Sequence, residues 1–176
     1  MEWTDGKKRC KWANPKNDIY LHYHDEEWGV PVYDDHKLFE MLILECFQAG
    51  LSWECVLNKQ QAFRAAFDGF DIEKVCAYGE EKMAQLHENP GIIRNRLKIR
   101  AAVNNARVFR GIQEEYGSFS NYLWRWSKGE VIYERDKASS PPFRCHIEGL
   151  EKEGDEICGN GHHLCLPTGS GGDLFP

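Results

Sequence analysis

The carboxylate of Glu45 stands in the middle of the long apolar run between residues 38 and 53. Glu45 is flanked there by apolar residues, and an ionised carboxylate buried without a partner usually pairs, takes up a proton or faces a ligand. On a helix, Gln48 would share its face. Two interpretations follow. Glu45 is either a solvent-facing or ion-paired residue of a buried helix, or a carboxylate that binds a ligand.

Aromatic residues are concentrated before this run. Four of them fall within 17 positions: Trp12, Tyr20, Tyr23 and Trp28. A single such ring is usually part of a core, but several beside a buried carboxylate could form the walls of a pocket for a flat ligand. Cys10 and His24 flank the segment and are good zinc ligands. A structural zinc site normally needs four ligands, however, and their spacing is not that of a zinc finger.

A third feature is a basic segment between Asn89 and Gln113, which contains no acidic residue. It is either a solvated helix face or an anion-binding patch. The turn at 89–93 precedes it, so Gly91 could let the backbone approach a phosphate while amides at the helix start act as donors. This is the logic of a helix-hairpin-helix element that grips a DNA strand through its backbone. The basic residues are Arg94, Arg96, Lys98, Arg100, Arg107 and Arg110.

Helical periodicity dominates the chain, and strand-like alternation is nearly absent. The pattern predicts helices at about 36–49, 54–67, 71–78, 80–87 and 94–116, with another beginning at Phe119. Asp34 or Asp35 would cap the first helix, and Gly50 would end it. Gly117 would end the long basic helix. The sequence therefore predicts an all-α fold.

Composition limits the class of protein. The 176 residues fit one domain, and 41% hydrophobic content with 12% aromatics indicates a globular chain. No apolar run approaches the roughly 20 residues needed to span a membrane, and the N-terminal segment lacks the apolar core of a signal peptide. Seven cysteines, an odd number, suggest thiols in a reducing compartment. We expect a cytoplasmic monomer without membrane association. The net charge of −6 argues against a general nucleic-acid-coating protein.

Five motifs stand out along the chain. They are RCKW at 9–12, YHDEEWGVP at 23–31, LFEM at 38–41, QAGLSW at 48–53, and GIIRNR at 91–96 followed by Lys98 and Ile99. In this order they resemble the DNA-3-methyladenine glycosylase I family of the helix-hairpin-helix superfamily. The resemblance runs from about Arg9 to Tyr133. It implies a helix-hairpin-helix glycosylase fold and a base-excision repair enzyme that flips 3-methyladenine out of alkylated double-stranded DNA and hydrolyses its glycosidic bond.

The resemblance also implies roles for individual residues. Glu45 matches the pocket carboxylate that reads the base, and Trp53 matches the aromatic that stacks on it. Leu51, after Gly50, would enter the gap left in the base stack. The remaining matches are Tyr20, Tyr23, Trp12 and Trp28 for the base pocket, with Gln48 beside Glu45, and Gly91, Ile93 and Lys98, supported by Arg94 and Arg96, for DNA phosphates.

Elementary chemistry agrees with these roles. N3-methylated adenine is cationic, so a carboxylate and aromatic faces favour it over adenine, and a nearby anion would stabilise oxocarbenium character in the sugar. No lysine stands in the proposed pocket segments as an amine nucleophile, so we expect a monofunctional hydrolase without lyase activity. The alternative is a non-catalytic or inactivated helix-hairpin-helix module that binds DNA without releasing a base.

The C-terminal part departs from the family. We expect a helical glycosylase domain at 1–138, incomplete at its end, and an irregular, poorly ordered tail at 139–176. The family takes two further structural zinc ligands, a His and a Cys, from its closing helices, so only Cys10 and His24 remain and zinc binding is in doubt. A one-base slip near Pro141 or Pro142 would explain the tail, since codons can be chosen for 155–176 that, read one base later, encode a family-like apolar helix. The cysteines and histidines of the tail do not match the missing ligands in order or spacing: Cys158, His162, His163 and Cys165.

Overall fold

Every regular element in the described part of the chain is a helix, which confirms the predicted all-α class. The structure, a computed structural model, describes Trp3 and residues 5–129. The α-helices are α1 (Asp18–His22), α2 (Asp35–Gln48), α3 (Trp53–Leu57), α4 (Gln60–Ala66), α5 (Ile72–Cys76), α6 (Glu80–Glu88), α7 (Arg96–Tyr116) and α8 (Phe119–Trp124). A π-helix at Tyr23–Glu27 follows α1, and 3-10 turns lie at Asp68–Phe70 and Arg125–Ser127. The predicted domain boundary after residue 138 and the proposed frameshift tail lie outside the described residues.

The two longest helices begin at side-chain caps, and the longer one ends at a glycine. Asp34 caps α2, its Oδ1 accepting from the Lys37 amide at 2.8 Å, as the sequence suggested. Helix α7 begins two residues later than expected. Asn95 takes the cap position there, and its Oδ1 accepts from the Leu97 and Lys98 amides at 3.0 and 3.1 Å. Gly117, at φ +79°, ends α7 in the left-handed conformation that glycine tolerates best.

Two regions differ from the expected elements. The single helix expected at 54–67 is divided into α3 and α4, and the chain turns at Asn58 and Lys59, where the Lys59 ammonium donates to the Gly91 carbonyl at 3.1 Å. The pair of short helices at 18–27 was not predicted. Asn17 begins it by accepting from the Tyr20 amide at 3.2 Å. Both differences concern helices of seven residues or fewer, in which periodicity is hard to recognise.

Helix α7 packs against α2, α5, α6 and α8 and forms the centre of the core. Its apolar stripe meets fully buried aromatic rings, and burial of each large apolar side chain contributes about 1.5–3 kcal/mol. Asp35, at the start of α2, fixes the start of α8 by accepting from the Phe119 and Ser120 amides at 2.9 and 2.8 Å. The buried rings include Phe39, Phe47, Phe63, Phe67, Phe70, Phe109, Phe119 and Tyr122.

None of the helices formed by Trp3 and residues 5–129 combines the length and the apolar character that crossing a membrane requires. Even α7, at 21 residues, carries exposed arginines along its length.

Candidate active site

The aromatic residues proposed for a pocket lie together in one cluster. The rings of Tyr23 and Trp53 meet edge to face with their centroids 5.6 Å apart, although they lie far apart in the sequence. Tyr20 and Tyr23 are nearly parallel, at 6.4 Å and 6°. Trp12 joins Tyr20 at 5.2 Å and Trp28 at 5.4 Å. The structure therefore brings together all five rings that the sequence singled out.

The two tyrosines share a face because α1 and the π-helix form one continuous helical segment, in which residues three apart are neighbours. Tyr23 is buried, whereas Tyr20 is half-buried. Burial raises the pKa of the Tyr20 phenol, and the negative charge of Glu54 raises it further. The Tyr20 phenol thus stays a neutral hydrogen-bonding group with a large aromatic face.

Glu45 lies one turn before the end of α2, which packs against α3, the helix that carries Trp53. Burial raises the pKa of its carboxyl group to about 7. Within the described residues, it makes neither a hydrogen bond nor an ion pair. The ion-paired interpretation of Glu45 therefore has no support in this part of the chain, and an unsatisfied, desolvated carboxylate is what a cationic ligand would complement.

Another carboxylate of α2 shows the contrasting case. Glu40 is only 2% exposed, yet its Oε1 accepts from Gln60 Nε2 at 2.7 Å and from Arg64 Nε at 2.8 Å. Arg64 Nη2 reaches the second oxygen at 3.1 Å. Glu40 is a paired structural residue of the helix packing, and Glu45 is not.

The turn after α2 presents Leu51 to solvent. Gln48 closes the turn twice, because its carbonyl accepts from the Leu51 amide at 2.7 Å and its side-chain Nε2 donates to the Leu51 carbonyl at 2.9 Å. Gly50 takes φ +79° within it, and Leu51 is left 39% exposed. Ser52 then caps α3 by accepting from the Cys55 amide. The result is a braced turn with an apolar tip, as a residue inserted into a base stack requires.

One N–H of Gln48 Nε2 is used in the turn, so its second N–H and its Oε1 stay available for a ligand. A contact between Gln48 and a base stays a prediction for these groups.

Lys98 braces the same turn from α7. Its ammonium donates to the carbonyl oxygens of Phe47 and Ala49 at 2.9 and 2.5 Å, at the C-terminal end of α2, where positive charge is favoured. Burial lowers its pKa. Two of the three ammonium donors are thus occupied within the protein, so a phosphate contact by Lys98 stays a prediction for the third.

In the hairpin between α6 and α7, Gly91 makes internal contacts that the sequence did not predict. Its amide is already bonded to Asn89 Oδ1 at 2.8 Å, so it is not the free phosphate donor that was expected. A Cβ at this position would lie 3.1 Å from Asn89 Oδ1 and 3.2 Å from Ala62 Cβ, so glycine is needed for internal packing. The Ile93 and Arg94 amides make no hydrogen bond within the described residues, and they are the available donors of the hairpin.

The positive charge of the basic segment is partly compensated by residues outside it. Acidic residues and a carbonyl from α5 and α6 engage three of the arginines: Arg100 with Glu80 at 3.5 Å, Arg110 with Glu73 at 3.3 Å, and Arg107 with the carbonyl of Cys76 at 3.3 Å. Arg94 and Arg96 are exposed and have no ion pair in the described part of the chain. The exposed arginines of the segment that lack a carboxylate partner among the described residues are thus Arg94 and Arg96, at the hairpin and the first turn of α7, and Arg107, which donates to a neutral carbonyl.

Cys10 and His24 are adjacent, as a shared metal site would require. The Cys10 amide donates to His24 Nε2 at 3.2 Å, and His24 Nδ1 lies 2.9 Å from Asp25 Oδ1. Arg9 holds Asp25 at 2.6 and 2.8 Å and keeps the pKa of that carboxyl well below its usual range. A carboxylate behind the histidine suits a zinc ligand.

The described residues nevertheless contain no group of three or more metal ligands. Cys10 and His24 thus fit half of a four-ligand zinc site, and we derive no step of the reaction through zinc.

A polar group beside the cluster was missed in the sequence. Glu54 follows Trp53 in α3 and accepts hydrogen bonds from Asn14 and Asn17, both at 2.7 Å. The only sequence signal was Asn17 before Asp18, a typical helix start. The partners of Glu54 lie about 40 residues earlier in the chain, and no local pattern links them to it.

Comparisons with known proteins agree with this geometry. The family model for methyladenine glycosylase matches residues 12–147, which extends past the predicted boundary at 138. DNA-3-methyladenine glycosylase 1 of Escherichia coli (strain K12) is 45% identical over 117 residues, which are 66% of this chain and 62% of that protein. The match thus spans less than two thirds of the length of that relative.

Two solved structures share the fold. A crystal structure of 3-methyladenine DNA glycosylase I superposes with a TM-score of 0.78 at 38% identity and covers 85% of both chains. A Tyr-to-Phe variant of 3-methyladenine DNA glycosylase I in complex with 3-methyladenine gives a TM-score of 0.76 at 33% identity, covering 86% of this chain and 84% of that one. With the family match and the helical architecture in agreement, this chain belongs to the methyladenine glycosylase family.

Proposed function

We propose that this chain is a monofunctional DNA glycosylase that excises 3-methyladenine from alkylated duplex DNA. The observation that carries the proposal is Glu45, a desolvated carboxyl group with a pKa of about 7 and no partner among the described residues, on the helix that packs against the Trp53 helix. The relative bound to 3-methyladenine supports the choice of base.

The charge of the substrate explains why such a site would discriminate. A cationic base supplies the counter-charge that Glu45 lacks, and the faces of Trp53 and the tyrosines attract the same cation. Neutral adenine offers no counter-charge and leaves the carboxylate unsatisfied. The pocket therefore favours the damaged base through a partner that only the damaged base provides.

The same carboxylate would assist bond cleavage. When the glycosidic bond breaks, its electron pair goes to the base, which leaves neutral, while positive charge passes to the sugar. The anion of Glu45 stabilises that charge, and a water molecule adds to the anomeric carbon and loses a proton. The residues proposed for the pocket include no lysine, so an imine to the sugar is not expected. The product is an abasic site in an uncut strand.

DNA is held by two features in this proposal. Leu51, at the tip of its braced turn, fills the gap left by the flipped base. The amides of Ile93 and Arg94, with the side chains of Arg94 and Arg96, contact the phosphates of one strand. Such contacts hold DNA without reading its sequence. We further propose that the protein acts as a cytoplasmic monomer.

Zinc stays a separate proposal. Cys10 and His24 offer two ligands, and we expect zinc to be bound weakly or not at all. Metal content by mass spectrometry tests this, with one tightly held zinc per chain as the contrary result. The frameshift hypothesis is tested by resequencing the locus, and an unshifted reading together with the 139–176 tail at the protein level would exclude it.

The deciding experiment is base release from alkylated duplex DNA by this chain, with the freed base identified by chromatography. We expect 3-methyladenine, and we expect Glu45→Gln and Trp53→Ala to abolish its release while DNA binding is largely retained. Glu81→Gln, an exposed carboxylate elsewhere, is the matched control. Binding of alkylated DNA without release would instead identify a non-catalytic DNA-binding module.

A further inference from the structure

We propose that Glu54 is a positioning residue that sets the spacing between the two walls of the base pocket. This inference rests on the proposed function. One wall, with Tyr20 and Tyr23, comes from the segment before α2, and the other wall, with Trp53, comes from α3. Glu54 joins the two as the acceptor of a polar clasp, which we define as Asn14, Asn17, Glu54 and Asn58.

A single oxygen of Glu54 accepts two of the three hydrogen bonds of the clasp. Asn14 Nδ2 and Asn17 Nδ2 each donate to Glu54 Oε1 at 2.7 Å. Asn17 Nδ2 also donates to Asn58 Oδ1 at 2.9 Å, so α3 holds Asn17 at two points one helical turn apart. Bonds of this length to an ionised oxygen are among the stronger ones that side chains form.

Asn17 connects the clasp directly to α1, the helix that carries Tyr20. Its remaining polar atom, Oδ1, accepts from the Tyr20 amide and caps α1. All polar atoms of the Asn17 amide group are therefore used, two contacts facing α3 and one facing the tyrosine wall. A displacement of Asn17 would move the start of the helix that carries Tyr20.

The tyrosine wall needs such a restraint because it cannot hold itself in place. Helix α1 has five residues, and isolated helices shorter than about 12–15 residues are marginal in water. The Tyr23 and Trp53 rings, 5.6 Å apart, meet across the junction between the two segments. The clasp is the polar connection between these segments, and it lies next to Trp53 in the sequence.

The charge of Glu54 offers a competing role. Its negative charge acts on the Tyr20 phenol, so it could also attract a cationic base electrostatically. The two roles are separable, because Gln at position 54 keeps the acceptor oxygen and removes the charge. The clasp role predicts that Glu54→Gln preserves the function and Glu54→Ala does not.

The test compares the parent chain with Glu54→Ala, Glu54→Gln, Asn14→Ala and the control Glu73→Ala, which removes an exposed ion pair between α5 and α7. Four quantities are measured: the affinity for free 3-methyladenine by calorimetry, the single-turnover release rate, the affinity for DNA, and the hydrogen exchange of the Tyr20 amide. We expect Glu54→Ala to lose roughly tenfold in base affinity and in release rate, with DNA affinity unchanged, from the loss of charged-acceptor hydrogen bonds. Asn14→Ala should lose less, and Glu54→Gln should stay within about twofold.

Each outcome decides the proposal. Faster exchange of the Tyr20 amide in Glu54→Ala but not in Glu73→Ala supports the clasp, and this readout holds even if the parent chain releases no base and the proposed function fails. If Glu54→Gln is as impaired as Glu54→Ala, the charge and not the clasp is responsible, and the proposal is overturned. Equal losses in Glu73→Ala, or unchanged base affinity in Glu54→Ala, overturn it as well. Should Glu54→Ala fail to fold, Asn14→Ala and Glu54→Gln carry the same comparison.

Discussion

Replacing Glu45 by Gln should make stability less dependent on pH in a window that the structure fixes. The carboxyl pKa rises from its ordinary value of 4.5 to about 7 because folding removes the group from water. At about 1.36 kcal/mol per pKa unit, this difference corresponds to about 3 kcal/mol between the two protonation states. The ionised form of Glu45 thus destabilises the folded state, and Gln, which cannot ionise, does not.

The direction in which stability changes with pH follows from proton binding. Between pH 4.5 and about 7 the folded protein keeps a proton on Glu45 that the unfolded chain has released, so stability falls as the pH rises. The contribution is complete below pH 4.5 and is lost above about 7. Between pH 5 and pH 8, the parent chain should therefore lose about 2.5 kcal/mol of unfolding free energy relative to Glu45→Gln.

Urea unfolding of both proteins at several pH values measures this difference, since other titrating groups cancel in the comparison. Glu81→Gln, which alters an exposed carboxylate, should track the parent chain at every pH. A difference between the parent and Glu45→Gln that stays constant from pH 5 to pH 8 would refute the reasoning, because the carboxyl group would then not be desolvated in the folded state. In the same samples, base release should be lost in Glu45→Gln at every pH.

Three further predictions concern the elements proposed to contact DNA and the lysine that braces one of them. Leu51→Ala should lower single-turnover release from duplex DNA roughly tenfold with little change on single strands, because only the duplex requires a filled gap in the stack. Arg94→Ala with Arg96→Ala should reduce the slope of log affinity against log salt by about 2 in a titration of DNA binding, whereas Arg110→Ala, which removes an ion-paired arginine, should not change it. Lys98→Met should lower the unfolding free energy by about 1–3 kcal/mol in urea, since two carbonyls at the end of α2 lose their donor.

The longest helices were predictable because each carries its own signals. Helices α2 and α7 combine an apolar stripe with an Asp or Asn cap and a glycine near their end, all readable within one segment. The pair of helices at 18–27 was not predicted, because five residues scarcely complete one turn of a pattern. Their stability comes from contacts such as the Tyr23 and Trp53 rings, and no single segment reveals these contacts.

The basic segment shows a second reason why the structure could not be predicted fully from the sequence. Residues 89–113 contain no acidic residue, yet Arg100 and Arg110 have carboxylate partners, Glu80 and Glu73, from other helices. Charge balance is a property of neighbours in space, and α5 and α6 supply it from outside the segment. The sequence predicted this region for DNA contacts, and within it Arg94 and Arg96, at the hairpin end of α7, have no ion pair among the described residues.

Glu40 and Glu45 differ in whether their carboxylates are paired, and this difference bears on the selectivity of the proposed site. Both are carboxylates of one apolar helix, and sequence alone could not say which was paired, because the partner Arg64 lies 24 residues beyond Glu40. The paired carboxylate contributes to folding. The unsatisfied carboxylate of Glu45 lowers stability by up to about 3 kcal/mol at alkaline pH. A bound cation would supply the missing counter-charge and regain that free energy as binding affinity. A neutral base would regain none of it, so under the proposed function the free-energy cost of the ionised Glu45 favours the methylated base.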